Sequence, residues 1–295
     1  MSKWSGKTRG GVAGYKIFVY VIRYLGVRAA YFMLWFVAFY FLFFTQKSGI
    51  RYYFRKILRY SGTKTIISIY RNYCLLGQVL TDKIAFLAGL RDKFSFTFEG
   101  ETHLVQMARE GNGGVLIGAH MGNWEVAGQL LERIDVPVNI VMLEAEHQRI
   151  KSYLDDVLEE RNMKIIPIKE DFSHLFAVAE ALKNKELVAI HGDRFLPGTQ
   201  TVTVDFMGQQ AQFPAGPLYL ASKYKVPVTY VVTVKDRATH YHFYATRPKL
   251  FKYPGNLKTR KAEVKEMVTD YACFLEKKLK QYPLQWFNYF QFWEE

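Results

Sequence analysis

The stretch GVLIGAHMGNWEVAG, residues 114–128, decides the fold. Residues 114–119 place apolar side chains on both faces of the pleat, the pattern of a strand buried on both sides inside a parallel sheet. His120 then stands at the carboxyl end of that strand, where open α/β sheets place their ligands. Met121, Gly122 and Asn123 form a turn, and Trp124 and Glu125 open a helix. Working outward, the same texture recurs. Strands are expected at 94–100, 138–143, 164–168, 186–193, 201–206, 226–232 and 240–246. Helices are expected at 102–110, 123–133, 147–161, 173–184, 215–224 and 260–281. Alternation of this kind gives an α/β fold class: a central mixed, largely parallel sheet flanked by helices.

The N-terminal part reads differently. AAYFMLWFVAFYFLFF (29–44) is uncharged and apolar, and IFVYVIRYLGV (17–27) precedes it. A spanning helix wants about 20 apolar residues. No small-residue cleavage site follows, so residues 1–48 are expected to be an N-terminal hydrophobic membrane-anchor helix, spanning or lying in the interface. Lysine and arginine flank both ends of it, so the positive-inside rule assigns no orientation. Residues 50–87 are helical and basic, and 49–295 are expected to form one domain. The 295 residues carry a net charge of +13, which favours anionic partners, and the 16 % aromatic content favours a membrane among them. Two cysteines, Cys74 and Cys273, are too few for a disulfide framework or a metal knuckle.

Three segments carry candidate chemistry. In the opening stretch, His120 and Glu125 are five positions apart, about 140° around a continuous helix. They meet only if the chain bends, and Gly122 permits the bend. A carboxylate on one imidazole nitrogen would fix the tautomer and free the other as a general base; the bland alternative is a satisfied histidine at a strand end. In VAIHGDRFLPG (188–198), a second strand ends in His191, Asp193 and Arg194, and the arginine suits a phosphate or carboxylate. The third segment, VDFMGQQAQFPAGPLYLASKYKVPV (204–228), reads as a loop and a helix entrance with proline in the first turn. Gly6-Lys7-Thr8 has no preceding strand and is not a phosphate loop. His240 and His242 lack a third ligand of suitable spacing, so no metal is expected.

GAHMGNWE, the combination of HGDR with VTVDFMGQQAQFPAGPLYLASKYKVPV, and the terminal YPLQWFNYFQFW (282–293), in that order behind a hydrophobic helix, resemble the late acyltransferases of lipid A biosynthesis, within the lysophospholipid acyltransferase superfamily. The resemblance implies a glycerolipid acyltransferase-like catalytic domain over 49–295. It implies transfer of a fatty acyl chain from an acyl carrier protein, or coenzyme A, to a lipid hydroxyl. His120 and Glu125 fall on the catalytic His-x4-Asp/Glu motif, with His120 the base and Glu125 orienting it. Asn123, Arg161, Asp193, Arg194 and Gly208 are the implied substrate-binding residues, with Gly208 in the family's Phe-Phe-Gly loop, here Phe-Met-Gly. The acyl thioester is a co-substrate, and no cofactor is implied. The implied partners are acyl carrier protein, an anionic lipid acceptor and the membrane, with no nucleic acid. The implied location is the bacterial inner membrane, with the catalytic domain on its cytoplasmic side. Where the lipid A enzymes carry an arginine after the strand aligned with VNIVML, this chain has Glu144 and Glu146. The acceptor therefore stays open between a lipid A precursor and an aminolipid, glycolipid or pigment lipid. A catalytically idle scaffold and a membrane-tethered polyanion binder are the rivals outside enzymes; the scattered lysines form no basic stripe for the latter.

Overall fold

A computed structural model describes residues 12–45, 47–124, 126, 136–143, 163–169, 171 and 173–293. The strand at the centre of the opening stretch, β2 (Gly114–Gly118), is buried at every position. The other strands are β1 (Ser95–Glu99), β3 (Val138–Leu143), β4 (Met163–Ile168), β5 (Leu187–His191), β6 (Thr201–Phe206), β7 (Gln209–Pro214), β8 (Val228–Arg237) and β9 (His240–Ala245). Seven of them form one sheet in the order β1-β9-β8-β2-β5-β3-β4. Strands β8, β2, β5, β3 and β4 run parallel, and β9 turns back against β8 with β1 parallel to it. The mixed, largely parallel sheet is the one the sequence leads to.

The side chains of β2 alternate between two apolar layers, as a pleated strand requires. Val115 and Ile117 face a layer with Val188, Val228, Tyr271, Leu275, Trp286 and Phe292. Leu116 faces the other layer, with Tyr31, Leu34, Phe86, Leu104 and Tyr241. Helices cover both faces: α5 (Glu101–Arg109), α6 (His174–Lys183), α7 (Gly216–Tyr224) and α8 (Arg260–Gln281). These fall where the 3.6-residue periodicity puts them.

Residues 201–206 do not join the large sheet. They pair as β6 with β7 in a separate antiparallel hairpin, with Thr201 opposite Pro214. The two-residue turn is Met207-Gly208, both at positive φ (56° and 83°), the conformation that suits the twist of a tight hairpin. The return strand QQAQFP is half glutamine and offers no clean alternation to read. From the sequence it reads as loop.

Before the sheet come α1 (Val12–Leu25), α2 (Val27–Phe44), α3 (Ser48–Tyr52) with a π-helical turn over Tyr53–Ile57, and α4 (Gly62–Leu87). The expected single anchor helix is thus two helices, broken at Gly26 with φ 83°. The 18-residue α2 is long and apolar enough to cross a membrane. One face of it, Ala30, Tyr31, Leu34 and Ala38, is buried. Leu34 packs against Gly77 of α4, where an added Cβ would lie 3.0 Å from the leucine. The other face exposes Phe32, Trp35, Phe36, Phe39, Tyr40, Phe43 and Phe44. A solvated soluble helix does not carry such a contiguous apolar patch, and this one points to membrane association.

Candidate active site

The parallel pairing of β2 with β5 sets Gly118 opposite His191. Two residues further along each strand, His120 and Asp193 come together at the carboxyl edge of the sheet. Nδ1 of His120 lies 2.8 Å from Oδ1 of Asp193. The other carboxylate oxygen accepts the His120 backbone N–H at 3.0 Å and the Trp286 indole N–H at 2.9 Å. Asp193 is fully buried. Burial pushes its carboxyl up, but the His120 charge and hydrogen bond, with Arg194 and His191 adding to them, hold it well below the ordinary carboxylate range. It is an ionised acceptor at neutral pH. An ionised acceptor takes a proton from the nitrogen facing it, so in the imidazole form of His120 that proton sits on Nδ1. Nε2 then carries the lone pair, and among the described residues it makes no hydrogen bond.

The turn after His120 is held from two sides, by the C-terminal segment and by β8. The Phe287 N–H donates to the His120 carbonyl (2.8 Å), the Gly122 N–H to the Gln285 carbonyl (2.8 Å), and the Asn123 N–H to the Thr233 carbonyl (2.7 Å). Gly122 has φ +63°, and a Cβ there would stand 2.0 Å from the Thr233 oxygen, so only glycine fits. Asn123 Oδ1 accepts the Val126 N–H at 3.1 Å, an N-cap contact at the helical residues Trp124 and Val126. Its Nδ2 donates to the Tyr241 hydroxyl at 3.0 Å. Both ends of this buried amide are therefore spent inside the protein.

Around the pair, the His191 ring lies 4.4 Å from that of His120, and Trp124 lies 5.4 Å from it. Burial, and then the neighbouring His120, push the His191 imidazole down to about 3, so it is neutral at physiological pH. Arg194 donates to the Phe287 carbonyl at 2.8 Å, on the same segment that clasps His120. Gly208 forms the β6–β7 turn, joined to this region through Phe206, whose ring is 6.1 Å from that of Trp286.

Of the expected site residues, the structure brings together His120, Asn123, Asp193 and Arg194. Asp193, expected as a substrate contact, bonds His120, and Asn123, expected as another, accepts the Val126 N–H. Glu125 and Arg161 lie outside the described residues, as do Glu144 and Glu146; Nδ1, the nitrogen a positioning carboxylate would take, is engaged by Asp193. Trp286, Gln285 and Phe287 escape a reading by periodicity, being single contacts in an irregular segment; their signal is the terminal QWFN motif itself. His240, set aside as a metal ligand, bonds Ser95 Oγ at 2.6 Å and Thr97 Oγ1 at 3.0 Å.

Comparison with known proteins follows the same line. Residues 75–294 match the family model of the bacterial lipid A biosynthesis acyltransferases. The phosphatidylinositol mannoside acyltransferase of Mycobacterium tuberculosis (strain ATCC 25618 / H37Rv) is 30 % identical over 123 residues, 41 % of this chain and 39 % of that one. The enzyme of the same name from Mycolicibacterium smegmatis (strain ATCC 700084 / mc(2)155) is 29 % identical over 120 residues, 40 % of this chain and 39 % of that one. The match thus spans well under half the length of these relatives. The solved 1-acyl-sn-glycerophosphate (LPA) acyltransferase PlsC of Thermotoga maritima superposes with a TM-score of 0.42 at 14 % identity, over 90 % of this chain and 96 % of that one. With three quarters of its length covered by the family model, this chain belongs to the bacterial lipid A biosynthesis acyltransferase family.

Proposed function

We propose that this protein transfers a fatty acyl group from a thioester donor to a hydroxyl of a membrane lipid, with His120 as general base and Asp193 as the residue that orients it. The observation that carries the reading is the buried 2.8 Å contact between His120 Nδ1 and an ionised Asp193 at the carboxyl edge of the sheet. A hydroxyl is a weak nucleophile at neutral pH and needs a positioned base. Nε2 takes the hydroxyl proton as the oxygen attacks the thioester carbonyl. The resulting imidazolium is stabilised by the Asp193 carboxylate. The tetrahedral intermediate then collapses, the C–S bond breaks, and the leaving thiolate takes the proton back from Nε2. Ester and thiol are the products, and the base is regenerated. His191, neutral beside His120, adds no second positive charge next to the imidazolium. Arg194 is assigned to the acceptor phosphate or the developing oxyanion, Arg161 to the acceptor and Glu125 to the rim of the site.

The acceptor we favour is a lipid carrying a sugar, as in a lipid A precursor. The family is described as acting in lipid A biosynthesis, and the mycobacterial relatives are named for a phosphatidylinositol mannoside. An aminolipid or pigment lipid is the alternative. The +13 charge suits an acidic acyl carrier protein as donor and anionic headgroups around the acceptor. The exposed aromatic face of α2 would seat the enzyme on the cytoplasmic side of a bacterial inner membrane. The test compares lipid extracts by mass spectrometry from cells expressing wild type or His120→Ala at matched levels. Loss of one acyl mass from a glycolipid class in the variant is expected. Identical profiles from a folded, membrane-bound variant would end the reading.

A further inference from the structure

Five polar side chains from five parts of the chain meet beneath the His120 turn. Tyr31 comes from α2, Asp82 from α4, Lys235 from β8, Tyr241 from β9, and Asn123 from the turn itself. All are buried: Tyr31 is 7 % exposed, Lys235 5 %, and the other three 0 %. The Asp82 carboxylate accepts from the Tyr31 hydroxyl, the Lys235 ammonium and the Tyr241 hydroxyl. Lys235 Nζ also donates to the Tyr31 oxygen at 2.6 Å and lies 5.1 Å from the Tyr241 ring centre.

The donor inventory sets a direction through this network. A carboxylate only accepts, and a tyrosine has one proton. Tyr241 commits that proton to Asp82, so its oxygen offers only lone pairs to Asn123. Asn123 must therefore turn its NH2 toward Tyr241, and that orientation points its Oδ1 at the Val126 N–H. The Asn123 orientation that the Val126 N–H requires is thus held from its other end by the Asp82 carboxylate through Tyr241. A second path runs through the same lysine. The Gln285 side chain bonds both the N–H and the carbonyl of Lys235 (2.8 and 2.6 Å), and the Gln285 carbonyl accepts the Gly122 N–H. Stability alone does not account for such a cluster. Burial raises Asp82 and lowers Lys235 against the pull of their pairing, and buried ion pairs are often replaced by apolar residues without loss.

We propose that Asp82, Lys235, Tyr31 and Tyr241 are a positioning unit for Asn123 and hence for His120, tying the base to the helix whose opposite face is the exposed aromatic one. The proposal rests on the reading of His120 as the base.

The test uses the purified full chain in phosphatidylglycerol-containing micelles, with thiol release from palmitoyl-coenzyme A, its acyl group passing to a phosphatidylglycerol hydroxyl or to water, as the probe reaction. Tyr241→Phe is expected to lower kcat about tenfold, the rate equivalent of one buried hydrogen bond, with KM unchanged. Tyr31→Phe is expected to lower kcat in the same sense. The double variant should fall short of the product of the two, because both hydroxyls act through one carboxylate. If Tyr241→Phe does not fold, Asp82→Asn/Lys235→Met, which removes both charges together, carries the same expectation. A kcat within twofold of wild type, or strictly multiplicative effects, would overturn the unit while an inactive His120→Ala left the base reading standing. A fully active His120→Ala would bring down the base reading, and the proposal with it.

Discussion

Replacing Asp193 with asparagine separates orientation from bulk, because the two side chains have nearly the same shape. The aspartate receives three N–H groups, two of them on one oxygen: the His120 amide at 3.0 Å and the Trp286 indole at 2.9 Å. The asparagine carbonyl must stay on those two donors, since its NH2 would meet them head-on. That leaves the NH2 facing His120 Nδ1, where the carboxylate oxygen stood at 2.8 Å. Nδ1 must then accept, so the imidazole proton moves to Nε2 and the base has no lone pair where the substrate needs it. The negative charge that steadies the imidazolium is lost as well. A wrong tautomer of this kind in histidine–aspartate catalysis costs about 10,000-fold in kcat, and we expect about 1,000- to 10,000-fold here. KM should be nearly unchanged, and stability should shift by no more than about 3 kcal/mol, since every donor but one keeps a partner. The assay is steady-state thiol release from an acyl thioester, with thermal unfolding in parallel. A folded Asp193→Asn enzyme within threefold of wild-type kcat would refute the assignment of Asp193 as the orienting residue.

Further outcomes follow from the same geometry. Trp286→Phe keeps the aromatic packing but deprives Asp193 of one donor, and kcat should fall about fivefold to tenfold with a modest loss of stability, read by kinetics and unfolding together. Gly122→Ala drives a methyl to 2.0 Å from the Thr233 oxygen, whereas Gly208→Ala, at φ +83° in open space, meets nothing. Chemical denaturation should give a loss above ~3 kcal/mol for the first and about 1–2 kcal/mol for the second. His191 has a native pKa of about 3 against an ordinary 6.5, so the unfolded chain binds the extra proton throughout that interval. Its contribution is complete above pH 6.5 and declines toward pH 3, by at most about 1.4 kcal/mol per unit. His191→Gln should flatten the stability–pH curve there by that difference. Trp35→Ser and Phe39→Ser remove apolar surface from the exposed face of α2. Each should weaken sedimentation with phosphatidylglycerol vesicles about tenfold while leaving unfolding midpoints nearly unchanged.

Much of this protein is legible along the chain, because strands and helices obey local rules. The run 114–118 is apolar on both faces and lies at the middle of the sheet. The 3.6-residue spacing in 260–281 is α8, with its apolar side on the core. Where local rules are silent the sequence does not decide. The glutamine-rich β7 shows no alternation that would announce its hairpin with β6, and Gly26, between Arg23 and Arg28, carries no stop signal that separates a helix break from a glycine tolerated inside one helix. Lys235 lies three residues beyond the strand end expected at 232, and its burial in an ion pair with Asp82, 153 positions away, is written in no local pattern.

The sequence by itself determined that the sheet is largely parallel and that a histidine stands at the end of its central strand. Those facts follow from side-chain period and from the position of a turn, both written in consecutive residues. Which acid serves that histidine was decided only by tertiary structure. Asp193 lies 73 residues from His120 and Trp286 a further 93 from Asp193. They meet because β5 is the parallel neighbour of β2, and because an irregular C-terminal segment closes over the turn. Strand order and loop return are set by the global packing of two apolar layers, and no window of the chain contains them.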